Sequence, residues 1–553
     1  MGALVGLVAV FNAAAVHAVT PGSDAASLVL EAQSVIGGHV LLHGWALSLD
    51  SFWTVEVPFY AAASVVTGMV PALLSLVPAI VGGLVALFGV LIGRDGRARP
   101  AALAGAVTVV ALLVFPTHAL AMFFLVGGVH LGAVLGALVA FYALRRGRWD
   151  IGVVVAVVVL TAGMLGDLQE VAYGTAPVLL AGLVAMARRR SVGAGLPAVF
   201  AAGAAGSLTI VVRLVAQAIG TFSIGTPNAI ATPGQMVRNV GYLFRLGAEM
   251  LGLRSTIFGT GGVPTWLQEV HAIGALLVLT CVIVAVIRMV AGLITRPRSA
   301  AAVAAAAGEA GSGAASTAGA AGGRAARVSG DEMQTPWWQS EPGAWRLDDL
   351  LTMACVTSAI SYLLLAVMYV SSYSRYLTAT VVFSIVLAAR VVARAWPRLE
   401  PVALKRAVAG LAAVVAMCFA VGFGFTLTAP APKQPVAPLA TWLVTHHLTS
   451  GVGPYTVASI TTVQSKDQVA VRPVVAAPSG RLVRYDRESD AAWYKGARFH
   501  FVVYAPAAPF GKVNAKSATA TFGRPTRSYT VGRYRVLVWR RPFTVSPKHG
   551  YGS

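Results

Sequence analysis

The stretch PGSDAASLVLEAQSVIGGHVLLHGWALSLDSFWTVEVPFY, residues 21–60, decides how this chain is read. An apolar run precedes it at residues 3–19 and another follows from about residue 70, so it reads as a polar loop between two membrane spans. It holds four carboxylates, Asp24, Glu31, Asp50 and Glu56, in a chain with 21 Asp and Glu among 553 residues. Trp45, Phe52, Trp53, Phe59 and Tyr60 lie among them. Carboxylates and aromatics gathered beside a bilayer suit a site that handles a polar group carried on a lipid. Asp24 and Glu31 stand two helical turns apart, so both face one side if 24–35 is a helix. Gly37-Gly38 would end that helix, and Pro58 opens another. The same residues also fit a solvated acidic loop, with Asp24 as a helix N-cap after Pro-Gly-Ser.

Composition agrees with the membrane reading. Hydrophobic residues make up 57% of the chain and charged ones 11%, with a mean hydropathy of +0.74. Soluble domains carry about a quarter charged residues. Apolar runs of membrane-crossing length recur at 1–19, 70–93, 101–117, 129–145, 151–166, 170–187, 197–220, 268–292, 349–371, 376–395 and 407–427. The expected fold is therefore an all-α polytopic membrane protein of about eleven transmembrane helices, with a small C-terminal extracytoplasmic domain that is α/β or mainly β. The run 3–19 also resembles a signal-peptide core ending near Val16-His17-Ala18. No basic residue precedes it, which favours a first span or signal anchor.

Arginines set the expected topology. Arg94, Arg97 and Arg99 follow the second run, Arg145, Arg146 and Arg148 the fourth, and Arg188, Arg189 and Arg190 the sixth. Arg296 and Arg298 follow the eighth, and Arg390, Arg394, Arg398, Lys405 and Arg406 surround the turn after the tenth. Every second connection is basic, which places those loops in the cytoplasm and loop 20–60 and the tail outside. Many of the basic residues behind the net charge of +21 cap spans, and many others are scattered singly through the tail among aromatics and prolines, which gives no reason to expect nucleic acid. Four regions follow. Residues 1–298 form an N-terminal transmembrane region with its acidic outer loop, and 299–346 an Ala/Gly/Ser-rich linker, expected to be disordered and cytoplasmic. Residues 347–429 supply further membrane helices and 430–553 the outer domain. Within that domain YTVASITTV, QVAVRPVV, RFHFVVYA and YRVLVW read as strands. Cys281, Cys355 and Cys418 all fall in apolar runs, so the outer parts carry no disulfide.

Other groups invite chemistry. GMLGDLQEVAYGTAP, residues 163–177, puts Asp167 and Glu170 at a third outer turn, where ionisable groups are either functional or simply interfacial. Arg213 lies about two turns from the outer end of its span, placed to snorkel or to bind a lipid phosphate. Arg375 stands at an outer turn between Tyr373 and Tyr376. Segment 221–266 looks amphipathic and suited to lie on the membrane, with Arg238 and Arg245 as interfacial anchors and Arg238, Arg245 and Arg254 as the alternative place for a phosphate. His118 and His130 bracket the second outer turn and, with carboxylates, are compatible with a divalent metal, but no tight ligand spacing assigns one. No phosphate-binding Gly-Lys-Ser/Thr loop, nucleophile elbow or zinc-protease motif occurs.

In layout the chain resembles the GT-C superfamily of lipid-dependent glycosyltransferases, which includes the protein O-mannosyltransferases and the aminoarabinose transferases. The matching run is Asp24, the helix to Val35, Gly37-Gly38 and Val57-Pro58-Phe59-Tyr60. SYSRYL is similar to the family's aromatic-x-Arg-Tyr signature. The tail, with YDRESDAAWY and FGRPTRSYTVGRYRVLVW, resembles actinobacterial membrane proteins classed with these enzymes. Two features depart from the pattern: Ala25 follows Asp24 where an acid is usual, and residues 116–130 lack the acid of the second outer loop, for which His118 or Asp167 would substitute. The resemblance implies an inverting transferase that uses a polyprenyl-phosphate sugar at the outer face, with an extracytoplasmic glycan, lipid or protein as acceptor. Asp24 would be the base, assisted by Glu31 or Asp167. Arg375 or Arg213 would hold the phosphate, and Asp50, Glu56 and Tyr376 would contact substrate. The tail would bind the acceptor or cover the site. No cofactor is assigned, and a divalent metal is compatible with this reading. A flippase for a lipid-linked sugar, or a non-catalytic scaffold with a polymer-binding tail, are the alternatives.

Overall fold

The computed structural model describes residues 2–225, 230–253, 257, 259, 261–294, 345–366, 374–508 and 510–547. Helices dominate up to residue 428. Among the described residues seven are long and apolar enough to cross a membrane: Leu73–Arg94, Val171–Arg189, Leu196–Ala218, Thr265–Ile294, Leu347–Leu364, Ser374–Arg398 and Val402–Thr428. Arg99–Val114 with His118–Phe124 makes an eighth if the pair is one span, although it bends by 83°. The expected count of about eleven is therefore not reached by length and apolarity. Helices do occupy every one of the eleven expected positions, but Gly2–Ala18, Leu131–Ala143 and Ile151–Gly166 have only 17, 13 and 16 residues. Asp150 caps the last of these, its Oδ1 accepting from Gly152 N at 2.8 Å. Thr117 caps His118–Phe124 and produces the bend. Helix Leu196–Ala218 exposes Leu208, Ile210, Val211, Leu214 and Val215 outward, as a lipid-facing surface does.

The arginine-rich helix ends gather at one end of the bundle. Arg390, buried in Thr378–Ala395, pairs with Asp348 and donates to Ile92 O at 2.8 Å, and Arg394 pairs with Asp348 as well. Arg188 grips Asp349 at 3.0 Å and Arg145 approaches Asp95 at 3.5 Å. Read from the sequence as loop charges, Arg390 and Arg394 are instead tied into helix packing by Asp348. The expected linker 299–346 lies outside the described residues except for its last two positions, where a helix begins. Arg254, Arg296, Arg298 and Tyr373 lie outside them too.

The tail holds a six-stranded mixed sheet. With β1 Trp45–Leu47, β2 Ser223–Ile224, β3 Ser450–Gly453, β4 Ala470–Ala476, β5 Leu482–Arg484, β6 Ser489–Asp490, β7 Phe499–Tyr504, β8 Arg527–Val531 and β9 Tyr534–Phe543, its order is β5-β4-β3-β7-β9-β8. Strand β3 runs parallel to β4 and β7, while the other pairs are antiparallel. The parallel step from β3 to β4 needs a crossover, and Tyr455–Gln464 supplies it as a helix. That is the YTVASITTV segment expected as a strand. Pro454 starts the helix, and burial of Val457, Ala458, Ile460 and Val463 overrides the β-branched propensity. Three of the four expected strands, β4, β7 and β9, are strands, so the domain is α/β.

A second, three-stranded sheet joins the tail to loop 21–60. In it β1 is central, parallel to β2 and antiparallel to β6. Gly44 O accepts from Ala491 N at 2.9 Å and from the Arg484 guanidinium at 3.2 Å, and the Trp45 ring meets Trp493 at 4.8 Å. The tail is thus seated on the acidic loop.

Candidate functional site

Helix Ser23–Ile36 forms as expected, ending at Gly37, and Asp24 lies in its first turn. The N-cap is Gly22, so Asp24 is released from a capping role. Its Oδ1 accepts from the Tyr455 hydroxyl at 2.8 Å, and its Oδ2 from Arg375 Nη1 at 2.9 Å. The Arg375 side chain also lies 5.3 Å from the Tyr376 ring, and its Nε has no hydrogen-bond partner. Gly128 packs against Asp24. Its φ of +76° favours glycine, and a Cβ there would come within 3.3 Å of Asp24 Cβ.

The Asp24–Arg375 pair stands where two cavities meet. The larger, about 1230 Å³, opens between helices Gly2–Ala18, His118–Phe124 and Val402–Thr428, with Met122, Phe123, Val126 and Phe425 on its walls. The smaller, about 170 Å³, lies under the tail and is lined by Asp50, His130, Tyr376, Arg487 and Glu488 among others. Asp24, Arg375, Tyr455 and Tyr485 line both. One side of the pair is therefore apolar and roomy, the other polar and tight.

The small chamber has a strained frame. Phe52, His130 and Glu488, all on its wall, hold φ of +53°, +68° and +50°. Non-glycine residues rarely adopt such angles, and those that do cluster at functional sites. His130 stacks on Tyr376 at 4.6 Å, and its Nδ1 lies 2.8 Å from Asp167 Oδ2. Burial first, then Asp167, pushes Asp50 up to about 6.

The other expected residues sort differently. Glu31 is fully buried and lines neither cavity. It lies near Glu488, whose Oε1 accepts from Ser48 N at 2.9 Å. Burial, then the Glu488 charge, raises the Glu31 pKa well above the usual range. Glu56 is buried and accepts from Gly128 N at 2.9 Å and Gly132 N at 3.4 Å, fixing the turn beneath Asp24. Burial raises its pKa against those two N–H groups. Asp167 sits behind His130, off the chamber wall. Arg213 lines neither cavity and donates to Met164 O at 2.9 Å. His118 lines the large cavity. Sequence reasoning missed Tyr455, Tyr485, Arg487 and Glu488. The signal for Tyr485, Arg487 and Glu488 was the charged run YDRESD in an otherwise β-branched domain, while Tyr455 sat unmarked in YTVASITTV.

Compared with known proteins, the chain matches no family model and no curated protein.

Proposed function

We propose that this protein is a membrane glycosyltransferase of the GT-C kind, moving a sugar from a polyprenyl-phosphate donor to an acceptor on the outer side of the membrane. The single observation that carries the reading is the Asp24–Arg375 pair at the junction of the two cavities. The large cavity suits a lipid chain, and Met122, Phe123 and Phe425 offer it apolar contact. Arg375 stands at its inner end with an unpartnered Nε, suited to a phosphate, for which guanidinium is the preferred bidentate donor. The chamber beyond would take the sugar.

In this reading Asp24 takes the proton from the acceptor hydroxyl. The hydroxyl oxygen attacks the anomeric carbon, and the bond from that carbon to the phosphate oxygen breaks. Its electron pair leaves on the polyprenyl phosphate, where Arg375 balances the charge. Tyr455 holds the second Asp24 oxygen and so fixes the direction of the first. The topology belongs to the proposal as well. Asp24 and Arg375 lie at the end of the bundle opposite Arg390, Asp348 and Arg188, which agrees with basic ends in the cytoplasm, the tail outside and eleven crossings.

The test is transfer in vitro, using purified protein and a panel of polyprenyl-phosphate sugars with envelope glycan, lipid and peptide acceptors. Release of polyprenyl phosphate with a glycosylated product is the expected result. Binding of every donor without turnover under any acceptor would favour a non-catalytic role.

A further inference from the structure

Beneath the Asp24–Arg375 pair three side chains from separate loops converge. One ligand atom each from Asp50, His130 and Asp167 lies within 4.8 Å of the other two. His130 and Asp167 are 2% and 0% exposed. The Nε2 of His130 and the Oδ1 of Asp50 are buried without a hydrogen-bond partner, and both residues face the chamber. Two carboxylates at this distance, one wholly buried and one half-buried, repel unless something positive lies between them. An imidazole nitrogen that close, held at φ +68° and packed between Phe52 and Tyr376, completes a set of one nitrogen and two oxygens.

We propose that Asp50, His130 and Asp167 bind one divalent cation at the floor of the chamber. Two carboxylates balance a charge of two, and a neutral imidazole adds a donor without adding charge. A mixed nitrogen and oxygen set suits Mn²⁺ or Zn²⁺ better than Mg²⁺ or Ca²⁺, which prefer oxygen alone. Asp24, Arg375, Tyr455 and Tyr485 form the wall shared by the chamber and the large cavity, so an ion would reach the site by displacing that wall. Three protein ligands leave further coordination positions for water or a bound hydroxyl. The inference goes beyond the transferase reading, since it concerns binding and holds whatever the chemistry.

The test is binding of the metal alone. Full-length protein in lipid nanodiscs is stripped with chelator and titrated with Mn²⁺, with unbound ion read by electron paramagnetic resonance. One saturable site per chain is expected, with Zn²⁺ displacing Mn²⁺ and Ca²⁺ failing to. Asp50→Asn and Asp167→Asn should each weaken binding by about tenfold or more, comparable to losses on disturbing a metal's ligand shell. Asp95→Asn, at the far end of the bundle, should leave it unchanged. Because Asp167 is wholly buried, the half-buried Asp50 provides the variant least apt to disturb folding, and gel filtration with thermal unfolding checks both. No saturable binding, or equal binding by folded Asp50→Asn, would overturn the proposal. Equal competition by Ca²⁺ would remove His130 from the ligand set and overturn it as stated.

Discussion

Arg375 Nη1 lies 2.9 Å from Asp24 Oδ2, joining two residues 351 positions apart in the chain. Their side chains are 31% and 51% exposed. An ion pair that open to solvent contributes only ~0–1 kcal/mol to stability, so folding alone does not account for its position at the junction of two cavities. In the proposed function an arriving phosphate would draw the guanidinium away from Asp24 and leave the carboxylate to receive a proton, so that the pair would be a resting arrangement in which each partner stands in for the other's ligand.

Asp24→Asn should lower sugar transfer by about 10²–10⁴-fold, the usual contribution of a positioned general base, with membrane abundance unchanged. Asn retains an oxygen for the Tyr455 hydroxyl and the same shape. Comparison of initial rates at matched protein levels checks this, and a wild-type rate would remove Asp24 from the chemistry.

Arg375→Lys keeps the charge but loses the planar fork. The apparent KM for a polyprenyl-phosphate donor should rise about tenfold, the loss of roughly one charge-assisted hydrogen bond. Arg213→Lys should change it little, because Arg213 lines neither cavity and engages Met164 O. Donor titrations on the two variants distinguish them. The opposite order would put the phosphate near Arg213.

The Glu31–Glu488 contact gives a pH dependence. Burial raises both carboxyl pKa values above 4.5. The docked state therefore holds protons that the separated state releases, so docking is strongest below about pH 4.5 and weakens as pH rises towards the raised values. Proteolysis of the tail should be severalfold faster at pH 8 than at pH 5. Glu31→Gln with Glu488→Gln should flatten the profile. A wild-type profile that is already flat would show that the pair does not titrate in this range.

Topology can be read by labelling. Ser479 sits in an exposed turn between β4 and β5, so Ser479→Cys should react with an impermeant maleimide on intact cells. Ser459→Cys should not, because Ser459 is buried and bonded to Ser27 at 3.3 Å. Labelling of Ser479→Cys only after lysis would place the tail in the cytoplasm.

Much of the architecture was legible because membrane helices are written in local composition. The helix from Ser23, its stop at Gly37 and the start near Pro58 were readable for the same reason, each being fixed within a few residues. Asp24 and Arg375 were readable as separate groups, one after the first apolar run and one at a late turn. Their pairing was not, since nothing local encodes a contact across 351 positions. Glu31 and Glu56 looked equivalent to Asp24 in sequence. Only packing separates them, turning Glu31 towards Glu488 and Glu56 towards the N–H groups of Gly128 and Gly132. Tyr455–Gln464 failed for the opposite reason, because tertiary burial outweighed a β-rich composition.

The placement of β1 has a consequence for biosynthesis. Trp45–Leu47 leaves the ribosome long before its neighbour Ser489–Asp490. Until those later residues emerge, that strand has one edge without its partner, and Tyr455 has yet to reach Asp24. The chamber is therefore completed only after Tyr455 and Glu488 have been made. A chain truncated before β6 that inserts correctly would still lack a closed chamber, so the order of manufacture itself delays assembly of the site.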